Sequence, residues 1–140
     1  MLEAVEDFLA TVADDFIKPH AAVHADEEGS LVEASGLGVG GDGHTASIFT
    51  GPDFDDALNA PKARRAVGVL PNPLPPEAPV TRVTLTRHSI LSARTLMIVL
   101  TGNDKKALLE QAIKDGPLSP LPVGRVLAEA EQPIDIHWAA

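Results

Sequence analysis

Residues 36–47, GLGVGGDGHTAS, place five glycines around one aspartate and one histidine. An imidazole titrates near neutral pH and can take a proton from water. Asp42 stands two residues before His44, where its carboxylate could orient the ring or bind a substrate. Glycine-rich turns also present backbone N–H groups that can stabilise an oxyanion. These residue types predict a hydrolytic site with His44 as the base. A surface turn whose histidine has no catalytic role would fit the same residues.

The glycine stretch also fits a dinucleotide-binding pattern. Residues 36–41 satisfy G-x-G-x-x-G, which has this meaning only between a strand and a helix that starts inside it. Residues 31–35, LVEAS, make a poor strand, and the last glycine leads into residues 42–44 rather than into a helix. We therefore rank nucleotide binding last, and the lack of a following Gly-Lys-Ser/Thr excludes a P-loop.

Other chemistry-bearing groups are weaker candidates. His20 and His24 have helical spacing for zinc, but Ala21 stands where the metalloprotease motif needs Glu, which leaves only a weak surface metal site conceivable. Ser47 lacks the G-x-S-x-G context of a nucleophile and is a better helix cap or packing residue. Simple structural roles are expected at the other positions: an exposed His88, a pair formed by Asp135 and His137, and Trp138 as a packing anchor.

The elements that must position these residues follow from periodicity. Apolar spacing predicts an amphipathic helix over 2–17, followed by a weakly specified connection to 35. One or two helical turns are expected after His44, capped by Thr45 or Ser47. The remaining expectations are a proline-rich surface loop over 71–79, strands over 80–86, 95–102 and 133–139, and helices over 87–94, 103–116 and 121–130. Alternating strands and helices predict an α/β fold with mostly parallel pairing.

Composition narrows the function classes. The 140 residues include no cysteine, so disulfides, thiolate metal sites and cysteine nucleophiles are excluded. Residues 1–60 hold thirteen acids and one base, whereas 61–140 hold ten bases and seven acids. The sequence has no dense basic patch of the kind that binds nucleic acid. It also has no apolar run long enough to span a membrane and no recognisable targeting signal. We expect a soluble cytoplasmic protein whose anionic ligand, if any, draws its cations from the second half.

The segment GVGGDGHTASIFTG resembles the 6-phosphogluconolactonase signature Gly-x-Gly-x-Asp-Gly-His-Thr-Ala-Ser-x-Phe-x-Gly. The resemblance continues through RVTLTRHSILSARTLMIVLTGNDKKALLEQAI and the PIDIHWAA tail, and it covers roughly residues 36–140. It implies a Rossmann-like three-layer α/β fold with a mostly parallel sheet. It also implies hydrolysis of 6-phospho-D-glucono-1,5-lactone in the pentose phosphate pathway, without a metal or a cofactor.

The resemblance also assigns roles residue by residue. His44 matches the base that acts on water, and the lysine of TGNDKK near the sugar phosphate is Lys105 rather than Lys106. The residues carried over in this way are His44 and Asp42 for catalysis, and Gly38, Gly40, Gly41, Lys105 and Arg94 for substrate binding.

The resemblance further predicts how the chain is divided. Residues 36–140 are expected to be the C-terminal half of the family domain, and residues 1–35 to be unmatched to it. The family's N-terminal part, with its Gly-Gly-Ser-Thr-Pro phosphate loop and Asp-Glu-Arg segment, is expected to be missing. An exposed sheet edge would then allow self-association. Two alternatives stay open: a truncated, non-catalytic remnant that binds sugar phosphates weakly or serves as an interaction module, and the related amino-sugar-phosphate isomerase/deaminase reaction.

Overall fold

The computed structural model describes residues 34–76 and 79–140. These residues form two small sheets and four helices. The helix predicted over 2–17, and with it His20 and His24, lies outside the described residues. In chain order the elements are β1 (Ala34–Gly38), α1 (Phe54–Asn59), β2 (Ala66–Val69), β3 (Arg82–Leu85), α2 (Arg87–Leu91), β4 (Thr95–Thr101), α3 (Asn103–Asp115), a 3-10 turn (Gly116–Leu118), α4 (Pro122–Leu127) and β5 (Ile134–Ala139).

The main sheet is parallel and has the order β1-β4-β5. In β1 and β4, Gly38 pairs with Val99, and in β4 and β5, Val99 pairs with His137. Alternate residues of β4 (Leu96, Ile98 and Leu100) are buried in the core, as expected for a strand with a period of two. The predicted α/β class with mostly parallel pairing is thus confirmed.

β1 corrects an expectation. We predicted that residues 31–35 would make a poor strand, yet the two of them that the structure describes, Ala34 and Ser35, begin β1, which pairs with β4 along its whole length. Leu37 is buried in the core and anchors the strand. Pairing with a neighbouring strand outweighs the low intrinsic strand preference of glycine and alanine.

β2 and β3 form a separate antiparallel pair, in which Ala66 lies opposite Leu85 and Val69 opposite Arg82. The strand expected over 80–86 therefore exists, but it does not belong to the parallel sheet. β2 was not predicted, because four residues, AVGV, carry little pattern of their own. Alternation along one strand does not reveal its partner.

All four described helices contribute residues to the hydrophobic core that also contains the buried residues of β4. α2 is shorter than predicted, and its N-terminal cap is Thr86, whose hydroxyl accepts a hydrogen bond from the Ser89 N–H at 3.3 Å. α3 occupies nearly the predicted range and ends at Gly116 with φ +59°. None of the described helices is both long and apolar enough to cross a membrane.

β5 lies at one edge of the three-stranded sheet formed by the described residues. Ile136 and Trp138 on this strand are 48% and 40% exposed. Such an edge can pair with a second chain. Self-association through it stays a prediction.

Candidate active site

The glycine stretch closes into a tight loop directly after β1. The N–H of Gly43 donates to the Gly40 carbonyl at 3.0 Å, and the N–H of Gly40 donates to the His44 carbonyl at 2.9 Å. Gly43 has φ +83°, a conformation that costs glycine little. Its carbonyl accepts a hydrogen bond from Val123 at the start of α4, at 2.9 Å. The loop that carries His44 is therefore held from both the sheet and a helix.

Asp42 and His44 interact within this loop. The Asp42 Oδ1 accepts a hydrogen bond from the His44 backbone N–H at 3.1 Å and a second, short one from the imidazole Nδ1. Partial burial raises the pKa of the Asp42 carboxyl, but the hydrogen bonds and charge of His44 outweigh it and hold that pKa below its usual value. An ionised carboxylate only accepts, so Nδ1 carries the hydrogen. When the imidazole is neutral, Nε2 is therefore the nitrogen without a hydrogen, and its lone pair can accept a proton.

Phe49 contacts one face of the imidazole, a contact that was not predicted from the sequence. Its ring stacks on that of His44, with centroids 4.2 Å apart and planes inclined by 21°. The Arg82 guanidinium carbon lies 5.1 Å from the Phe49 centroid and brings a positive charge to the same cluster. The phenylalanine of the signature was available as a signal, whereas nothing in the sequence connected Arg82 with His44.

A turn follows His44 in place of the expected helix. The N–H of Ile48 donates to the Thr45 carbonyl at 2.9 Å, and Ala46 adopts φ 50° between them. Thr45 is not a helix cap: its hydroxyl donates to the Gly38 carbonyl at 2.8 Å. Ser47 is not one either, because its N–H donates to the Thr84 hydroxyl at 3.1 Å. This reversal brings Phe49 back under the imidazole.

The three predicted substrate-binding glycines behave differently. A Cβ built on Gly40 would overlap the His44 imidazole, whereas one built on Gly38 or Gly41 meets nothing within 4 Å. The Gly40 N–H is also engaged by the His44 carbonyl. Gly40 therefore gives the imidazole room, and its N–H is engaged within the loop. Its predicted role in lining the substrate site stays a prediction.

Lys105 lies in the first turn of α3, at the same edge of the parallel sheet as His44. β1 and β4 are parallel neighbours, and both His44 and Lys105 lie six residues beyond the paired residues Gly38 and Val99. Ligands of open α/β sheets bind at this carboxyl edge. Lys106 is occupied: its Nζ lies 4.3 Å from the Trp138 ring centroid and 4.0 Å from a Glu110 carboxylate oxygen. Within the described ranges, Lys105 has no ion-pair partner.

Arg94 lies at the opposite edge. It immediately precedes β4, whose seven residues span roughly 20 Å. The structure does not bring Arg94 to the loop of His44, and its predicted contact with the same substrate is not supported by this placement.

The other candidates lie apart from this loop. A cavity of about 530 Å³ is lined by His88, Arg87 and Lys62, and a neighbouring one of about 270 Å³ by Arg87 and Arg125. Neither is lined by His44, Asp42 or Lys105. Residues 34–76 and 79–140 contain no group of three metal-ligating side chains.

Known proteins are similar to this chain in sequence and in fold. The family model "Glucosamine-6-phosphate isomerases/6-phosphogluconolactonase" matches residues 3–138, a range that starts upstream of the boundary predicted at residue 35; that boundary stays a prediction. The 6-phosphogluconolactonase of Caulobacter vibrioides is 37% identical over 105 residues, which are 74% of this chain and 42% of the relative.

Solved structures agree with this match. The 6-phosphogluconolactonase of Shewanella baltica superposes with a TM-score of 0.75 at 29% identity, over 100% of this chain and 53% of that one. The enzyme of Trypanosoma cruzi gives 0.65 at 30% identity, over 93% and 48%. This chain therefore spans about half the length, or less, of these relatives. It belongs to the glucosamine-6-phosphate isomerase/6-phosphogluconolactonase family.

Proposed function

We propose that this chain hydrolyses 6-phospho-D-glucono-1,5-lactone to 6-phosphogluconate, with His44 as the base that activates water. The observation that carries the proposal is the hydrogen bond between Asp42 and the imidazole Nδ1, which leaves Nε2 free to take a proton. The side chain of His44 is 29% exposed, so a substrate and a water can reach it. The names of the similar proteins supply the substrate.

The reaction is one addition and one elimination. Nε2 of His44 accepts a proton as the water oxygen bonds to the lactone carbonyl carbon, which gives a tetrahedral oxyanion. The bond from that carbon to the ring oxygen then breaks, and the imidazolium returns the proton to the departing oxygen. A δ-lactone is an activated ester, so neither a covalent enzyme intermediate nor a metal is required. The backbone N–H of Gly41 is our candidate for stabilising the oxyanion.

The sugar phosphate supplies binding energy away from the reacting carbon. Lys105 is its proposed partner, because it shares the carboxyl edge of the sheet with His44 and no described carboxylate neutralises it. Binding at the phosphate can hold the lactone ring in register with Nε2. The proposed partner of the protein is therefore a small phosphorylated lactone.

The test is lactonase turnover by the full chain. His44→Ala should lower kcat by about 10²- to 10⁴-fold, the usual contribution of a general base, with an unchanged circular dichroism spectrum. His88→Ala, an exposed histidine on α2, is the matched control and should retain full activity. Undiminished turnover by His44→Ala would refute the assignment.

The same assays separate the alternatives. A wild-type chain that binds 6-phosphogluconate but turns over no lactone would favour the non-catalytic sugar-phosphate-binding module. Ammonia release from glucosamine 6-phosphate would favour the isomerase/deaminase reaction.

A further inference from the structure

The end of β5 is hydrogen-bonded to the turn between β4 and α3. The N–H of Gly102 in that turn donates to the Ala139 carbonyl at 2.8 Å. Its carbonyl accepts a hydrogen bond from the indole Nε1–H of Trp138 at 3.1 Å, in addition to the Lys106 N–H at 3.3 Å. Both backbone polar groups of Gly102 are therefore held by the last strand.

Gly102 is the residue from which α3 starts. It adopts φ +90°, and its carbonyl takes the first hydrogen bond of the helix. The direction of that carbonyl sets the position of the first turn, which carries Lys105 as its third residue. Displacements near 1 Å at a binding group can cost a large part of its effect. The indole N–H is thus hydrogen-bonded to the residue from which the turn that carries Lys105 starts.

Trp138 also contacts Lys106, the residue that follows Lys105. Its ring holds the ammonium of Lys106 by a cation–π contact, and Glu110 adds a charge of opposite sign. The ring is 40% exposed, so the predicted role as a packing anchor describes only part of what it does. Polar contacts at its N–H and at its face account for the rest.

We propose that Trp138 is a positioning residue of the phosphate subsite: it fixes the turn at Gly102 and retains Lys106, so that Lys105 meets the sugar phosphate. The inference rests on the proposed function, because it takes Lys105 as the phosphate partner. It adds the indole that sets the place of this lysine.

The first experiment compares two lactones. Trp138→Phe removes the indole N–H and keeps an aromatic face for Lys106. It should raise KM for the phosphorylated lactone by about 3- to 10-fold, the effect of one hydrogen bond, with kcat within about twofold. Unphosphorylated glucono-1,5-lactone should be unaffected. Equal losses on both lactones would reduce Trp138 to a structural residue and overturn the proposal.

A double-mutant cycle tests the route through Lys105. Lys105→Met should raise KM for the phosphorylated lactone, and Trp138→Phe added to it should cost little more, because the lysine to be positioned is gone. Fully additive effects would contradict the proposal.

A third measurement needs neither turnover nor a tryptophan variant. Trp138 is the chain's single tryptophan, so its fluorescence reports on this turn. Saturating 6-phosphogluconate should change the emission, gluconate should not, and Lys105→Met should abolish the response. Calorimetric binding of 6-phosphogluconate without any change in emission would overturn the inference. If the wild type binds 6-phosphogluconate and shows the change in emission but hydrolyses no lactone, the proposed function is wrong. The inference about Trp138 is then still supported.

Discussion

The imidazole of His44 lies face to face with the ring of Phe49, at a centroid distance of 4.2 Å. Phe49 is 4% exposed and belongs to the hydrophobic core, while the imidazole reaches solvent. One face of the imidazole is therefore supported by the core, and its Nδ1 edge is bonded to Asp42. Together these contacts fix the plane and the tautomer of the ring before any substrate binds.

Phe49→Leu tests the stacking. Leucine keeps an apolar side chain in the core but removes the flat surface under the imidazole. Stacked aromatic pairs are worth about 0.5–1.5 kcal/mol, so kcat should fall by roughly 2- to 10-fold with a smaller change in KM. Steady-state lactonase kinetics with a parallel thermal melt provide the measurement. A variant that melts earlier but keeps its full kcat would show that the ring only fills the core.

The pair Gly40→Ala and Gly41→Ala tests the close approach in the loop. A Cβ on Gly40 would overlap the imidazole, whereas Gly41 has open space around it. The first substitution should displace His44 and lower kcat by about 10²-fold, the cost typical of a small misplacement. The second should leave the fold intact and change kcat much less. Equal kcat values for the two variants would mean that the loop accommodates the added methyl group without displacing His44.

Asp42→Asn tests the tautomer. The amide can turn either its oxygen or its N–H₂ group toward Nδ1, so Nε2 is no longer reserved as the acceptor. By analogy with the orienting aspartate of serine-protease triads, kcat should fall by up to about 10⁴-fold, and KM should change little. Lactonase kinetics at several substrate concentrations separate the two constants. A rise in KM alone would indicate that Asp42 binds substrate instead.

The signature residues allowed much of this site to be predicted, and the remainder depends on tertiary contacts. The proximity of Asp42 to His44 is local, so a spacing of two residues was enough to expect their contact. The turn at Thr45 was missed because the hydrogen bonds that hold it reach Gly38 in β1 and Thr84 in β3, and neither partner lies among the residues after His44 from which a helix was expected. Arg82 reaches Phe49 from β3, which lies 33 positions further along the chain and is joined to this segment by the hydrogen bond between Ser47 and Thr84. The strand predicted over 95–102 already placed Arg94 before β4, and its predicted substrate contact came from the resemblance alone.

The acid stability of the loop follows from the pKa of Asp42, which its bonds to His44 hold below the ordinary value of 3.8. A carboxyl with a lowered pKa in the folded state adds stability that is fully present above the unfolded value and is lost as pH falls through the folded value. Wild type should therefore exceed Asp42→Asn in unfolding free energy at pH 5, and the gap should close as pH falls below 3.8. The side chain is 57% exposed, so the gap at pH 5 should be about 1 kcal/mol or less.

Urea unfolding at pH 5, 4 and 3 measures this gap over a range in which ordinary histidines are already protonated. Glu129→Gln, an exposed carboxylate outside the loop, is the control for a general change in charge. A gap between wild type and Asp42→Asn that widens toward pH 3 would mean that the protonated carboxyl is the form the loop favours. A protonated carboxyl could turn its O–H toward the imidazole Nδ1 instead of accepting from it, and the free Nε2 on which the proposed hydrolysis depends would lose its support.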